Sequence, residues 1–202
     1  MARYGMTDSM TPVVKNLLIA NVVVFIAQLY FQSTERSLEV YGALWPVGSG
    51  NFKVWQLVTY MFMHADFRHI LFNMIALWMF GIKLEYSWGS KRFLQFYMIC
   101  GLIAGIVQLA LQKGNLPSLG ASGAIMGVLA AFGYLFPNSE VLIYFFPVKA
   151  KYAITGFILI DVFGVIMPKV GDLVGHYAHL GGALTGLIIV ILWNRTNRRN
   201  FY

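Results

Sequence analysis

Long apolar runs separated by short polar breaks set the pattern of this chain, with few positions where the two alternate within a run. Hydropathy and breaker residues predict helices near Lys15–Phe31, Phe67–Tyr86, Lys91–Leu111, Ser122–Phe136, Lys149–Met167 and Gly175–Trp193. A hydrocarbon core about 30 Å thick takes roughly 20 apolar helical residues to cross. The pattern therefore predicts an all-α fold, a polytopic bundle of six transmembrane helices forming one domain over residues 1–202. The first run, "NLLIANVVVFIAQLYF", is too long for a secretory h-region and no small-x-small cleavage site follows it, so it reads as a retained span.

Composition agrees: 58% of the 202 residues are hydrophobic and 11% charged, far from a soluble domain. The net charge of +7 does not mark a nucleic-acid surface, because the basic residues are scattered among the breaks. They read as topology signals. An even number of spans puts both termini on one side, with Arg3, Lys15, Lys83, Lys91, Arg92, Lys149, Lys151, Arg195, Arg198 and Arg199. The other side has Arg36, Lys53, Arg68, Lys113 and Lys169, so the positive-inside rule places both termini in the cytoplasm. The connection from Gln32 to Asp66 is rich in aromatics (Tyr41, Trp45, Phe52, Trp55), which suits an interfacial position. The single Cys100, in an apolar run, permits no internal disulfide and reads as a buried, inert thiol.

Polar residues inside the spans are the candidate chemistry, since they are expensive there and face a cavity or a partner. Ser122 in "LGASGAIMG" taken alone reads as a helix start or a packing residue. The pairs Gly101/Gly105, Gly123/Gly127 and Gly182/Gly186 are each spaced for close helix approach. His69 and Asn73 are four apart on one helical face, and His176 and His179 are three apart at the start of the last span. Ser122, His179 and Asn73 each precede the cytoplasmic break of their helix by fifteen residues, about 22 Å of helix, which sets them in one layer towards the external face. A serine and a histidine at equal depth are the ingredients of a nucleophile and its general base. Four histidines could in principle hold zinc, but there is no H-E-x-x-H, no second cysteine and no acidic residue beside the histidine pair. No metal or other cofactor is expected. A G-x-S-x-G elbow is absent as well.

Over nearly its whole length the chain resembles the rhomboid intramembrane serine proteases in their basic six-helix, bacterial form. "GASG" resembles the family's G-x-S-G, "AHLGG" with Gly186 its A-H-x-x-G-x-x-x-G, and "HADFRHILFNM" its H-x-x-x-x-H-x-x-x-N. "LEYSWGSKRF" resembles the turn between the family's second and third helices, with Glu85 and Gly89-Ser90 in place. The resemblance implies Ser122 as nucleophile and His179 as base, a dyad without a carboxylate, with Asn73, His69 and the Ser122 backbone N–H holding the oxyanion. His64 would support the first loop and His176 would line the external side. The family's frequent tryptophan-arginine pair reads Trp55-Gln56 here, removing a charge from that loop's anchoring, and Met126 stands where an aromatic residue is frequent, which predicts an altered rate. Asp161 in the fifth span reads as part of a gate or, equally well, as an acidic group hydrogen-bonded to a neighbour.

The expected function is intramembrane peptide-bond hydrolysis in single-span or polytopic membrane proteins, at a site open to the external side, in a multi-pass protein of a cell membrane, the bacterial inner membrane by type. The alternative is an inactive rhomboid-like protein that binds membrane clients; such relatives lack the serine or the histidine, and this chain has both. A transporter is disfavoured by the lack of paired half-helices or internal symmetry.

Overall fold

The computed structural model describes residues 10–32, 37–112, 114–143, 145–168 and 174–196. Of the residues used above for topology, Arg3, Arg36, Lys113, Lys169, Arg198 and Arg199 lie outside these. Helix α1 (Pro12–Gln32) is followed by short helices α2 (Leu38–Gly42) and α3 (Gln56–Thr59). Then come α4 (Phe67–Ala76) and α5 (Ile82–Trp88), joined by a π turn at Leu77–Gly81 into one run. Helices α6 (Ser90–Leu111) and α7 (Ser122–Leu135) follow. Strands β1 (Glu140–Ile143) and β2 (Phe146–Lys149) pair antiparallel before α8 (Ala150–Ile166) and α9 (His176–Thr196). A helical run thus occurs at each of the six predicted positions, within a few residues of its expected limits.

Four of these, Pro12–Gln32, Phe67–Trp88, Ser90–Leu111 and His176–Arg195, are long and apolar enough to cross a membrane. Exposed aliphatic and aromatic side chains cover their outer surfaces, as lipid-facing positions require. The chain is a membrane protein. Helix α7 is shorter, at 14 residues, and every residue from Gly123 to Phe132 is buried. It is the central post of the bundle.

What lets it sit there is the absence of side chains on its neighbours. A β-carbon on Gly186 would lie 2.5 Å from the Gly127 carbonyl oxygen, and one on Gly182 would overlap the Gly123 carbonyl. On its other side, β-carbons on Gly123 and Gly127 would come within 2.7 Å of the Ala104 methyl and 2.6 Å of Cys100 Sγ in α6. The glycine pairs of α7 and α9 therefore face one another, and backbone meets backbone as in other small-residue membrane helix pairs.

Contacts at one end of the bundle fix relative depth. Glu85 accepts the Val13 and Val14 N–H groups at 2.9 and 2.8 Å and the Ser90 hydroxyl at 2.6 Å, satisfying orphan donors at the start of α1. Lys83 Nζ reaches Ser139 Oγ at 3.2 Å and lies 4.2 Å from the centre of the Phe136 ring. Trp88 packs edge-on against Trp193 at 5.5 Å. The start of α1, the α5–α6 turn and the ends of α7 and α9 thus share one level, and it is the level of the lysine-rich breaks.

The hairpin β1–β2 lies in the break after α7, and its turn leaves Phe145 and Phe146 exposed. Hydropathy alone does not distinguish such a hairpin from a polar break.

Candidate active site

At the opposite end, the segment before α7 is held in place by backbone and amide pairing. Leu44 and Ser118 exchange N–H···O bonds of 2.8 and 2.9 Å, and the Gly120 N–H donates to the Tyr60 carbonyl at 2.9 Å. Gln108 of α6 accepts the Ala178 N–H at 2.9 Å and donates to Ser118 Oγ at 3.0 Å, tying the start of α9 to the approach to α7. Gly120 has φ +127°, a conformation that favours glycine, and there the chain turns into the helix that begins at Ser122. The first-turn N–H groups of α7 have no intrahelical partner and carry the positive end of its dipole.

Ser122 Oγ lies 2.7 Å from His179 Nε2, an O–H···N hydrogen bond between the start of α7 and the first turns of α9. Both residues are half-buried. Equal depth alone does not bring two side chains together; the α7–α9 glycine seam supplies the close approach.

His69 lies over the same spot. A β-carbon on Gly120 would sit 2.8 Å from His69 Cε1 and Nε2 and 3.5 Å from Ser122 Oγ. The Ala65 N–H points at His69 Nδ1 at 3.4 Å, so a neutral ring carries its proton on Nε2, the nitrogen beside Gly120. Asp66 caps α4 by accepting the His69 N–H at 2.9 Å, and that bond, chiefly, holds its carboxyl below the usual range. Asn73, one turn below His69 on the same face, is buried, and its Nδ2 has no hydrogen-bond partner among the described residues. A buried amide donor left unpaired costs about 1–3 kcal/mol.

His64 is 1% exposed and stacks edge-on against His69 at 5.1 Å. Its backbone is clamped by the Gln28 amide, which accepts its N–H at 2.9 Å and donates to its carbonyl at 3.1 Å. Burial, and secondly the neighbouring His69, push the His64 pKa down to about 4, so the ring is neutral. In the connection before α4, fully buried Gln56 does with an amide what a guanidinium could have done. It accepts from Trp45 N and Lys53 N and donates to the Asn51, Val40 and Tyr41 carbonyls. The loop is anchored without the charge. Met126 packs in the apolar core.

Two expectations are corrected. The histidine pair does have an acidic neighbour: Asp161, from α8, places Oδ1 2.7 Å from His176 Nδ1 and 2.9 Å from His179 Nδ1. His176 is accordingly not a plain lining residue. Spacing along the sequence could not reveal this, because the carboxylate comes from another helix, and its one available signal was an acidic residue in an apolar span. Asp161, His176 and His179 offer ligand atoms within 4.8 Å of one another, a set that could hold a metal ion. The oxygen-to-nitrogen separations are nevertheless those of hydrogen bonds, each satisfied by one ring N–H.

A family model described as the rhomboid domain matches residues 51–195. The chain belongs to the rhomboid family. It is 37% identical to Rhomboid protein 1, mitochondrial, of Saccharomyces cerevisiae over 134 residues, 63% of this chain and 38% of the yeast protein. It is 37% identical to RHOMBOID-like protein 6, mitochondrial, of Arabidopsis thaliana over 160 residues, 77% of this chain and 49% of the plant protein. With Rhomboid-like protease 3 of Toxoplasma gondii identity is 25% over 185 residues, 89% of this chain and 68% of that one. The chain thus spans under half the length of the two mitochondrial relatives. Their names give no support to a bacterial inner membrane.

Proposed function

We propose that this rhomboid is an intramembrane serine endopeptidase that cuts membrane-protein substrates in or near their spans. The observation that carries the reading is the 2.7 Å contact between Ser122 Oγ and His179 Nε2 at the start of the buried helix α7. His179 Nε2 takes the hydroxyl proton as Oγ bonds to the scissile carbonyl carbon, and the carbonyl π pair moves onto oxygen. The Ser122 N–H, the Nε2–H of His69 and the unpaired Nδ2–H of Asn73 receive that oxyanion, and preorganised donors of this kind act strongly in a site that excludes water. The C–N bond then breaks, His179 gives its proton to the leaving amine, and an acyl ester remains on Ser122. Water, deprotonated by the same imidazole, hydrolyses the ester and restores the serine.

A substrate helix hides its carbonyls in its own hydrogen bonds, so the cut falls where the segment unwinds, with small residues around the bond as the family resemblance implies. Residues 1–202 act as one domain, with both termini on the cytoplasmic side and the site reached from the other. An active enzyme is favoured over the inactive, client-binding alternative because both side chains are present and in contact.

The test is reconstitution of the purified protein in liposomes with a panel of single-span substrates. Cleavage should occur with the parent and vanish in Ser122→Ala and in His179→Ala, each single loss as large as the double. Cleavage by Ser122→Ala at the parental rate would overturn the reading.

A further inference from the structure

Asp161 stands out in α8. The buried residues of this helix are Ala150, Ala153, Ile154 and Asp161, so beyond Ile154 the only side chain it buries is a carboxylate, 7% exposed. A charged group within a span is expensive unless paired, and the apolar surroundings give it no reason to be there as packing. Its partners are the Nδ1 atoms of two rings of α9, at 2.7 and 2.9 Å, both on the same oxygen. Gly164, three residues on and so on the same face of α8, leaves the space that the His176 ring occupies; a β-carbon there would overlap the ring. Carboxylate and notch together form a seat for the start of α9.

The seat has a chemical consequence at His179. A carboxylate has no proton to donate when ionised, so the ring must present Nδ1–H to it. The lone pair is then on Nε2, the nitrogen 2.7 Å from Ser122 Oγ. Had the ring carried its proton on Nε2, Nδ1 and Oδ1 would face one another as two acceptors at 2.9 Å.

We propose that Asp161 is a positioning residue for the reaction: it holds His179 in the Nδ1–H form with Nε2 aimed at Ser122, and it compensates the positive charge that the ring acquires when it takes the serine proton. This rests on the reading of Ser122 and His179 as nucleophile and base. The arrangement is a serine–histidine–aspartate relay spread over α7, α9 and α8, where the motifs alone imply a dyad. Such relays are recognised by geometry and not by order along a chain. Charge-assisted hydrogen bonds are the stronger class, which is why loss of the charge matters even where the bond survives. Among the described residues, the groups facing His179 are Asp161 from α8, Ser122 from α7, His176 from its own helix and His69 from α4.

The experiment measures cleavage of a reconstituted single-span substrate by the parent, Asp161→Asn, Asp161→Ala and Ser122→Ala, together with 15N spectra of the histidine-labelled parent. Asp161→Asn keeps an acceptor oxygen of the same size but no charge. It should retain the parental melting temperature and KM while kcat falls about 10²-fold or more, and Asp161→Ala should fall at least as far. In the parent spectrum His179 should show the Nδ1–H tautomer. A merely structural carboxylate predicts the reverse split, with parental kcat for Asp161→Asn, and that result overturns the inference, as does an Nε2–H tautomer in the parent. The two readings fail separately: if Ser122→Ala is dead and Asp161→Asn is fully active, only the relay falls. If Ser122→Ala still cleaves, the underlying assignment falls and takes the relay with it.

Discussion

Replacing Gly186 by alanine tests whether the α7–α9 seam sets the distance between the two reacting side chains. The added carbon would lie 2.5 Å from the Gly127 oxygen and 2.6 Å from Gly127 Cα, whereas ordinary contact begins near 3.4 Å. The obstacle is backbone at the buried centre of the bundle, so α9 has to move by about 0.9 Å. If half or more of that displacement reaches His179, two turns away, the 2.7 Å contact to Ser122 passes beyond about 3.1 Å, and the full displacement breaks it at about 3.6 Å. Alanine is the better helix former by up to about 1 kcal/mol, yet overpacking a tight core costs about 1–3 kcal/mol, so the sum is destabilising. Misplacement on the scale of 1 Å costs activity about 10²-fold. The assay is substrate cleavage alongside thermal unfolding in the same detergent, with Leu184→Ala as a control on the exposed face of α9. Parental melting temperature and parental kcat in Gly186→Ala would refute the reasoning.

Asn73→Ala should lower turnover by about 10²–10³ with KM little changed, because a donor to the oxyanion is lost; turnover within a few-fold of the parent would leave Asn73 as a packing residue. His64 lies in the connection outside the six long helices, and its depressed pKa makes stability depend on pH. The unfolded ring binds a proton below about 6.5 while the folded ring stays neutral to about 4, so this part of stability is present above 6.5 and is lost as pH falls from 6.5 to 4, by up to about 3 kcal/mol. Unfolding midpoints from pH 8 to 4 should fall less steeply in His64→Phe than in the parent, and parallel curves would contradict the assignment. In a Cys100→Ala background, Ser122→Cys should react with a small water-soluble thiol reagent added to the non-cytoplasmic face, and Ala131→Cys, about two and a half turns deeper and fully buried, should not. Equal reactivity at the two positions would show that the proposed access is wrong.

The spans were legible because a bilayer demands long apolar runs, and α1, α6 and α9 begin and end within three residues of where hydropathy and breakers put them. Depth was legible too, since counting residues from the lysine-rich breaks placed Ser122 and His179 level and the fold sets them 2.7 Å apart. What hydropathy could not supply was rotation. Helix α8 is apolar around most of its circumference, so nothing in its pattern says that Asp161 faces α9 rather than another neighbour. The π turn at Leu77–Gly81 is likewise invisible, because it shifts hydrogen-bond spacing without changing the hydrophobic run. Gln56 shows a third kind of gap. A family position can keep its anchoring role with a different residue, and the network that permits this exists only in three dimensions.

The proposed reaction depends on Ser122 acting as a nucleophile activated by His179. The most direct measurement is peptide mapping of the protein after exposure to a fluorophosphonate in intact membranes. One covalent adduct should form, on Ser122, with its rate of formation reduced at least about 10²-fold in His179→Ala. An unlabelled Ser122, or labelling equally fast in His179→Ala, would contradict it.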